Sequence, residues 1–140
     1  MLTEEIITKL TDAGVVLYET NFFSGPIPAE VQLPAGGIIE TPGSRPLETL
    51  ADGITFENCG FQVTVRGENT AVGDQQARAF IREIWKTLAG GHGTMGVANE
   101  AIDGVMYQNI SARQSPFLLQ IDENNKRVYV ANFDVAKEIS

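Results

Sequence analysis

The sequence is poor in the side chains that build metal and redox sites. It has one cysteine, Cys59, and one histidine, His92, among 140 residues. A lone cysteine excludes an intramolecular disulfide, and the simplest interpretation of Cys59 is a small buried side chain. A transition-metal site made of repeated histidine and cysteine ligands is not expected, because such sites need several of these residues at regular spacing.

Long apolar runs are missing as well. The sequence has no stretch of about 18 apolar residues, so no membrane-spanning helix is expected. The N-terminus carries Thr3, Glu4 and Glu5 instead of a basic stretch followed by an apolar one. This pattern is unlike a secretory signal, and we therefore expect the protein to fold in a cytoplasm.

Positive charge is scarce. Lysine and arginine total 10 against 18 aspartates and glutamates, which gives a formal net charge of −8. Tight nucleic-acid binding needs a basic surface, so DNA and RNA are not expected as tightly bound ligands. The charge is compatible with a surface that repels DNA, and its plainest effect is to keep the protein in solution.

The motifs of common enzymes are also missing. The glycine-rich loop 89–94 follows a predicted helix, whereas phosphate-binding loops follow a strand and open a helix. No serine stands in a G-x-S-x-G nucleophile motif. The stretch 122–127 lacks the spacing of a calcium loop and is better explained as a hairpin tip. Glu100 and Asp103, beside Asn99, form an oxygen-rich group for which a solvated loop is the simpler explanation. We therefore predict no enzymatic activity and no cofactor.

The residues that are present indicate one globular domain over 1–140, with 43% hydrophobic and 20% charged residues. Two segments have the periodicity of amphipathic helices. The first covers 3–13, with Thr3 as N-cap, and the second covers roughly 71–88. Gly14 ends the first helix, and Gly90-Gly91 ends the second. Their predicted apolar stripes are Ile6, Ile7 and Leu10, and Ala77, Phe80, Ile81, Ile84, Trp85 and Leu88.

Strands are predicted at 15–19, 61–67 and 105–113. In the second of these strands, Phe61, Val63 and Val65 share the core face. In the third, alternation predicts Met106, Ile110 and Ala112 on the core face, with Tyr107, Asn109, Ser111 and Arg113 on the other face.

A hairpin is predicted over 117–130, with Asn124-Asn125 as a two-residue turn. This register places Ile121 opposite Val128 and Leu119 opposite Val130. The predicted core face consists of Phe117, Leu119, Ile121, Val128 and Val130. The second face consists of Leu118, Gln120, Tyr129, Ala131 and Phe133, and it is only half polar. Something must cover this second face.

Residues 20–53 hold most of the prolines and many glycines between short apolar pieces. This composition is typical of an extended segment with brief strands or a hairpin, most clearly over 20–45. Two interpretations are open: an irregular surface loop, or a protruding arm that packs on another chain.

The order of these segments predicts an α+β fold. We expect a mixed or mainly antiparallel sheet with two helices packed on one face, together with the extended arm.

The C-terminal third resembles the minor capsid and tail-terminator proteins of long-tailed bacteriophages. Within 111–135 a strand leads into a Q-S-P-F bend, a hairpin with a D-x-N-x-R-like tip, and a closing strand that ends near N-F-x-V. The matching residues are Gln114, Ser115, Pro116, Phe117, Asp122, Asn124, Arg127, Asn132, Phe133 and Val135. The strand 60–67 with the helix after it, and the turn 41–48, fit the same family, so the resemblance covers most of the chain from about residue 37.

The resemblance implies a structural role in virion assembly. Tail terminators form a ring, typically of six subunits, on the end of a completed tail tube. They stop tube polymerisation and present a surface to the head connector. The implied partners are other copies of the chain, the major tail tube protein and the head–tail connector protein, and DNA passes through without specific binding. The implied place is the tail–head junction of the virion, after assembly in the host cytoplasm.

A ring closes by heterologous contacts, so each subunit needs two different complementary surfaces. We expect the second sheet face and the arm to supply them through Phe22, Phe23, Ile27, Ile38, Arg66, Arg113, Tyr129 and Phe133. A channel that passes DNA is expected to carry more carboxylates than basic groups. The candidates for these channel carboxylates are Glu40, Glu48 and Glu57.

Two alternatives remain open from the sequence. The first is another head–tail neck or head-completion protein. The second, from another class, is a small ligand-binding or hydrolytic α+β domain, which would need a concave pocket with several convergent polar groups.

Overall fold

The computed structural model describes residues 2–41, 47–48, 55–90 and 96–138, with the backbone alone at 47–48 and 55–57. In these ranges no helix has both the length and the apolar character that a membrane crossing requires. The predicted turn 41–48 and the glycine-rich loop 89–94, with His92 and Gly91, lie largely outside them.

The described residues form two helices and eight strands. In chain order they are α1 (Leu2–Asp12), β1 (Phe22–Ser24), β2 (Ala35–Thr41), β3 (Leu47–Glu48), β4 (Thr55–Glu68), α2 (Ala71–Ala89), β5 (Ala98–Ile102), β6 (Val105–Ala112), β7 (Phe117–Ile121) and β8 (Lys126–Glu138).

All strands belong to one sheet built around two long central strands. The order is β1-β2-β4-β8-β6-β5, and β4 and β8 pair antiparallel from Phe56↔Glu138 to Glu68↔Lys126. β7 pairs with the Lys126 end of β8, whereas β6 pairs with its Glu138 end. β1 and β2 run parallel, so the sheet is mixed. The helix α1 contacts β2 and β5, which lie on opposite sides of the central pair, so the sheet curls around it.

Both helices cover the same face of this sheet. Their apolar stripes join one core with the strand residues Phe61, Val63, Val65, Ala131 and Phe133. The predicted α+β fold, a mixed sheet with two helices on one face, is therefore confirmed. We call the face toward the helices the core face and the opposite one the outer face.

Helix α2 packs close to the sheet because Gly67 on β4 has no side chain at the contact. The Thr70 hydroxyl accepts a hydrogen bond from the Gly73 N–H at 3.0 Å and caps the first turn. At Gly67 on β4, an added Cβ would stand 2.6 Å from the Cβ of Ala77. The predicted stripe is confirmed: Ala77, Ile81, Ile84 and Leu88 are buried, and Phe80 and Trp85 pack against them.

Helix α1 agrees with the prediction in its apolar stripe but not in its cap. Ile6, Ile7 and Leu10 are buried. Because the helix begins at Leu2, Thr3 lies inside it and is not the N-cap. The predicted strand at 15–19 is wrong: Tyr18 forms only an isolated bridge to Phe22, within a turn.

The segment predicted as an arm forms the edge of the sheet over residues 22–41. β1 and β2 run beside β4, and Phe22 and Ile38 have relative exposures of 0% and 1%. A protruding arm is therefore wrong for these residues. The glycines explain the failure, since Gly36 receives the ring of Phe22 where an added Cβ would stand 2.9 Å away. The remaining arm residues up to 53 lie outside the described ranges except for β3.

The hairpin exists, but its predicted register is wrong. Asp122 N–H donates to the Lys126 carbonyl at 2.8 Å, and Asn125 has φ 60°, so a three-residue loop closes the hairpin. A bulge between Leu118 and Gln120 shifts the pairing further. The observed pairs are Phe117↔Val130, Leu118↔Tyr129, Gln120↔Val128 and Ile121↔Arg127.

The two faces of this hairpin are not as predicted either. Tyr129, Ala131 and Phe133, expected on the second face, lie in the core and pair with the core residues of β4. Val128 and Val130 are buried on the outer face. Leu119, expected in the core, belongs to a strand that is exposed along its whole length. The helices therefore cover the face that carries Tyr129, Ala131 and Phe133, for which the sequence predicted no cover.

β6 shows the same kind of error. A bulge between Tyr107 and Asn109 reverses the alternation halfway along the strand. Tyr107 is therefore buried in the core, and Met106 is exposed, both contrary to the prediction. Beyond the bulge, Ile110 and Ala112 face the core as predicted.

Candidate assembly surface

The structure removes part of the predicted interface from the surface. Phe22, Ile38, Tyr129 and Phe133 are fully buried in the core of their own chain, so their assignment to a contact with another subunit is wrong. The cause is the strand register, which turns each of these side chains toward the helices.

Phe23, Ile27, Arg66 and Arg113 keep exposed surface. Ile27 and Arg66 line a groove on the outer face, and the Arg66 guanidinium donates to the Pro28 carbonyl. Arg113 lies 3.5 Å from where a Cβ on Gly60 would stand. These two arginines therefore lie on the outer face of β4, at different positions along the strand.

The outer face is polar toward the Glu138 end of β8. The Gln62 side-chain amide donates to the Asn132 side chain at 3.0 Å. The Arg113 guanidinium binds Asp134 at 2.8 Å, and this bond, with the charge of Asp134, raises the pKa of Arg113. These groups satisfy one another across neighbouring strands, so this end is a hydrogen-bonded surface.

The other end of the outer face carries the groove, with a volume of ≈ 370 Å³. Its lining residues are Gly25, Pro26, Ile27, Gly37, Ile39, Thr64, Arg66, Gln120, Asp122 and Val128. The two charged side chains are engaged by backbone groups: Arg66 donates to the Pro28 carbonyl, and Asp122 accepts from the N–H groups of Asn124 and Lys126. The groove therefore favours an apolar occupant over a charged ligand.

Strand β7, FLLQI, borders this groove and is the most exposed apolar element that the structure describes. It pairs with β8 on one side, and no described strand pairs with its other side. All its residues are exposed, with Leu119 at 54% and Ile121 at 49%. Lysine, proline and inward charges are the usual protection of a free edge, and β7 has none of them. A β-bulge is a further protective device, and β7 carries one between Leu118 and Gln120.

A buried polar cluster fixes α1 to the sheet. The Tyr107 hydroxyl donates to Glu5 Oε1 at 2.6 Å, and Lys137 Nζ donates to the same oxygen at 3.0 Å. Glu5 and Lys137 are 4% and 3% exposed. Burial raises the pKa of the Glu5 carboxyl, but the hydrogen bonds from Tyr107 and Lys137 and the charge of Lys137 outweigh it, so the pKa is lowered.

This cluster makes stability depend on pH. Because the pKa of Glu5 is below its ordinary value of 4.5 in the folded protein, its contribution is complete above pH 4.5 and is lost as the pH falls through the lowered pKa. Burial and the hydrogen bond to Glu5 raise the pKa of Tyr107, so the neutral hydroxyl is favoured in the fold.

Glu100 and Asp103, which the sequence places in one oxygen-rich group, have structural roles. Glu100 forms an ion pair with Lys9 at 2.6 Å, and Asp103 accepts from the Thr8 hydroxyl at 3.0 Å, so both hold α1. Among the described residues there is no group of three or more histidine, cysteine or acidic residues placed to hold a metal ion.

Of the predicted channel carboxylates, Glu40 is exposed at the end of β2. The side chains of Glu48 and Glu57 lie outside the described residues.

Sequence reasoning missed β7 as a surface because it assumed regular alternation through the hairpin. The signal was present: Phe117, Leu118 and Leu119 are consecutive apolar residues, which is not the pattern of a half-buried strand.

No family model matches the sequence, and no curated protein matches it. Among solved structures, the chain is similar to a chain from the virion of a native gene transfer agent particle, with a TM-score of 0.66 and 13% identity. The similarity covers 99% of this chain and 95% of that chain. This chain therefore shares its fold, over almost its whole length, with a protein found in a virion.

Proposed function

We propose that this protein is a non-enzymatic structural component of a phage-like virion and acts as a tail terminator. In this role, copies of the chain form a ring, of six subunits as the family resemblance implies, on the end of a finished tail tube. The ring stops further polymerisation and offers its free side to the head connector.

The observation that carries the proposal is the shared fold with the gene transfer agent virion chain. This similarity is informative because of its coverage: neither chain has a large part without a counterpart in the other. A shared fold does not fix function, so the local features must agree with it. The exposed uncharged edge of β7 agrees, because an assembly protein needs surface that only another chain can cover.

The negative charge supports the same role. With −8 per chain, a ring of copies carries a strongly negative field, which repels DNA phosphates over roughly a Debye length of about 8 Å in physiological salt. We propose that the channel carries more acidic than basic side chains and that Glu40, Glu48 and Glu57 contribute to it. DNA then passes without being held.

A polymerisation assay tests the function. Purified major tail tube protein is allowed to form tubes alone and with an excess of this protein, and tube lengths are measured by negative-stain electron microscopy. A terminator shortens the length distribution and leaves one blunt, capped end. A head-completion or other neck protein leaves tube length unchanged, and that result would reject the terminator role.

A further inference from the structure

One strand position in the sheet is only half filled by the chain itself. β6 and β7 pair with the same edge of β8, β6 with its Glu138 end and β7 with its Lys126 end. β5 lies beside β6, and this pairing reaches as far as the Ile110 N–H, which donates to the Val97 carbonyl at 3.1 Å. Beside β7, no strand among the described residues continues the row. The sheet therefore has an open slot next to β7, five residues and about 17 Å long.

The backbone of β7 has hydrogen-bonding groups that point into the open slot. The Asp122 N–H donates to the Lys126 carbonyl on the β8 side at 2.8 Å. The bulge lies before Gln120, so the pairing of Gln120 and Ile121 with β8 is regular. Because the backbone groups of successive residues alternate between the two sides of a strand, the N–H and C=O of Ile121 point away from β8. A strand added in the slot would pair with these groups.

The side chains along the open slot are apolar or uncharged. The charges close to it are already engaged: Asp122 accepts from two N–H groups of the hairpin loop, and Arg78 and Arg127 both bind Asp74. A charge on an occupant would lose water there without gaining a partner, which is unfavourable. We therefore expect the occupant to be uncharged where it lies in the slot. The four large apolar side chains of β7 are 37–54% exposed: Phe117, Leu118, Leu119 and Ile121.

The exposed area of these four side chains is too small to hold two folded copies together. Even at about 200 Å² for a whole large apolar side chain, they offer only about 360 Å² together. A stable interface between folded proteins buries about 800 Å² on each partner. A short added strand needs less apolar area, because main-chain hydrogen bonds supply part of its binding energy. The area therefore favours a single extended segment over a second copy of this chain.

We propose that the open slot beside β7 binds an extended segment of a partner protein, which adds to the sheet as one more strand. The length of β7 requires about five residues in this segment. The segment is uncharged in its centre and apolar at alternate positions, because alternate side chains of a strand share one face. The inference goes beyond the proposed function, and it depends neither on a ring nor on the terminator role.

Removal of one backbone donor tests the slot. Ile121→Pro removes the N–H that points into the slot and keeps the pairing of β7 with β8, and an edge strand tolerates proline in this orientation. Ile121→Val, which keeps the N–H, is the matched control. The probe is a capped, fluorescein-labelled peptide of alternating threonine and valine, about seven residues long so that it spans β7. Fluorescence anisotropy measures its binding to the full chain, and circular dichroism checks the fold. Leu119→Lys, which places a charge on the edge, replaces Ile121→Pro if that variant does not fold.

We expect the peptide to bind the wild type and Ile121→Val with similar affinity, and we expect Ile121→Pro to raise the Kd at least about tenfold. The same peptide with proline at its centre should not bind, since it cannot pair along its whole length. No binding to the wild type at peptide concentrations up to about 1 mM, or equal binding to Ile121→Pro and Ile121→Val, would overturn the inference.

Sedimentation equilibrium of the chain without peptide tests the competing occupant. We expect Ile121→Pro to leave the mass of the wild-type chain in solution unchanged. A wild-type dimer that Ile121→Pro dissociates would show that a second copy fills the slot, and it would also overturn the inference.

Discussion

At the scale of single residues, the fold depends on polar groups that the sequence does not reveal as buried. Lys137 and Glu5 lie far apart in the chain and meet under α1, with Tyr107 completing the cluster. Neither charged residue stands out in the sequence, because burial of a charge depends on a partner that only the tertiary fold supplies.

Two tyrosines provide a matched comparison at this scale. We expect Tyr107→Phe to lower the free energy of unfolding by about 1.5–3 kcal/mol, since it removes a hydrogen bond to a buried carboxylate. Tyr129 is equally buried, but its hydroxyl has no hydrogen-bond partner in the part of the chain that the structure describes. We therefore expect Tyr129→Phe to leave the free energy unchanged or raise it by up to about 1 kcal/mol.

Urea denaturation at neutral pH, followed by circular dichroism, measures both tyrosine variants. Equal losses in the two variants would show that the hydroxyl of Tyr107 has no special role and would contradict the account of the buried cluster.

At the scale of elements, the helix stripes and the core face of β4 were predictable, with Phe61, Val63 and Val65 buried as expected, whereas the faces of β6 and of the β7–β8 hairpin were not. The stripes of α1 and α2 follow from periodicity alone, because every turn of a helix repeats the same geometry. A strand face depends on a period of two, so one bulge reverses it. The bulges in β6 and β7 explain why Tyr107 and Leu119 were assigned to the wrong sides. The prediction of a protruding arm was wrong for another reason. Gly36 and Pro34 suggested a loop, but Gly36 makes room for the ring of Phe22 in the core.

The close contact of α2 with β4 gives a prediction at the scale of elements. Gly67→Ala would place a methyl group 2.6 Å from the Cβ of Ala77, and we expect it to lower the free energy of unfolding by about 1–3 kcal/mol. Ala77→Gly alone is expected to cost at least about 1 kcal/mol through helix propensity. The double variant removes the clash with the Ala77 methyl and keeps the 3.1 Å approach to the Gly73 carbonyl, so its loss should be smaller than the sum of the two single losses.

Thermal and urea denaturation of the two single variants and the double variant complete this cycle. Strictly additive losses would show that the two positions do not interact, and the close packing of α2 on β4 would then be wrong.

At the scale of the whole molecule, the sequence indicated an assembly protein but not the surfaces that assemble. The resemblance in 111–135 pointed to tail terminators, and the α+β fold is shared with a chain from a gene transfer agent virion, so the terminator role stays a proposal. Several predicted contact residues are nevertheless buried, because a large aromatic residue in a strand serves a core as readily as an interface. The exposed edges, by contrast, depend on which strands end the sheet, and that order is set by pairing across the whole chain.

The measurement that tests the account most directly is a cryo-electron microscopy reconstruction of tail-tube ends incubated with this protein. We predict a closed ring of copies on one end of each tube, with acidic side chains in excess along the channel. Bare tube ends, copies scattered along the tube wall, or a ring with a basic channel would contradict it.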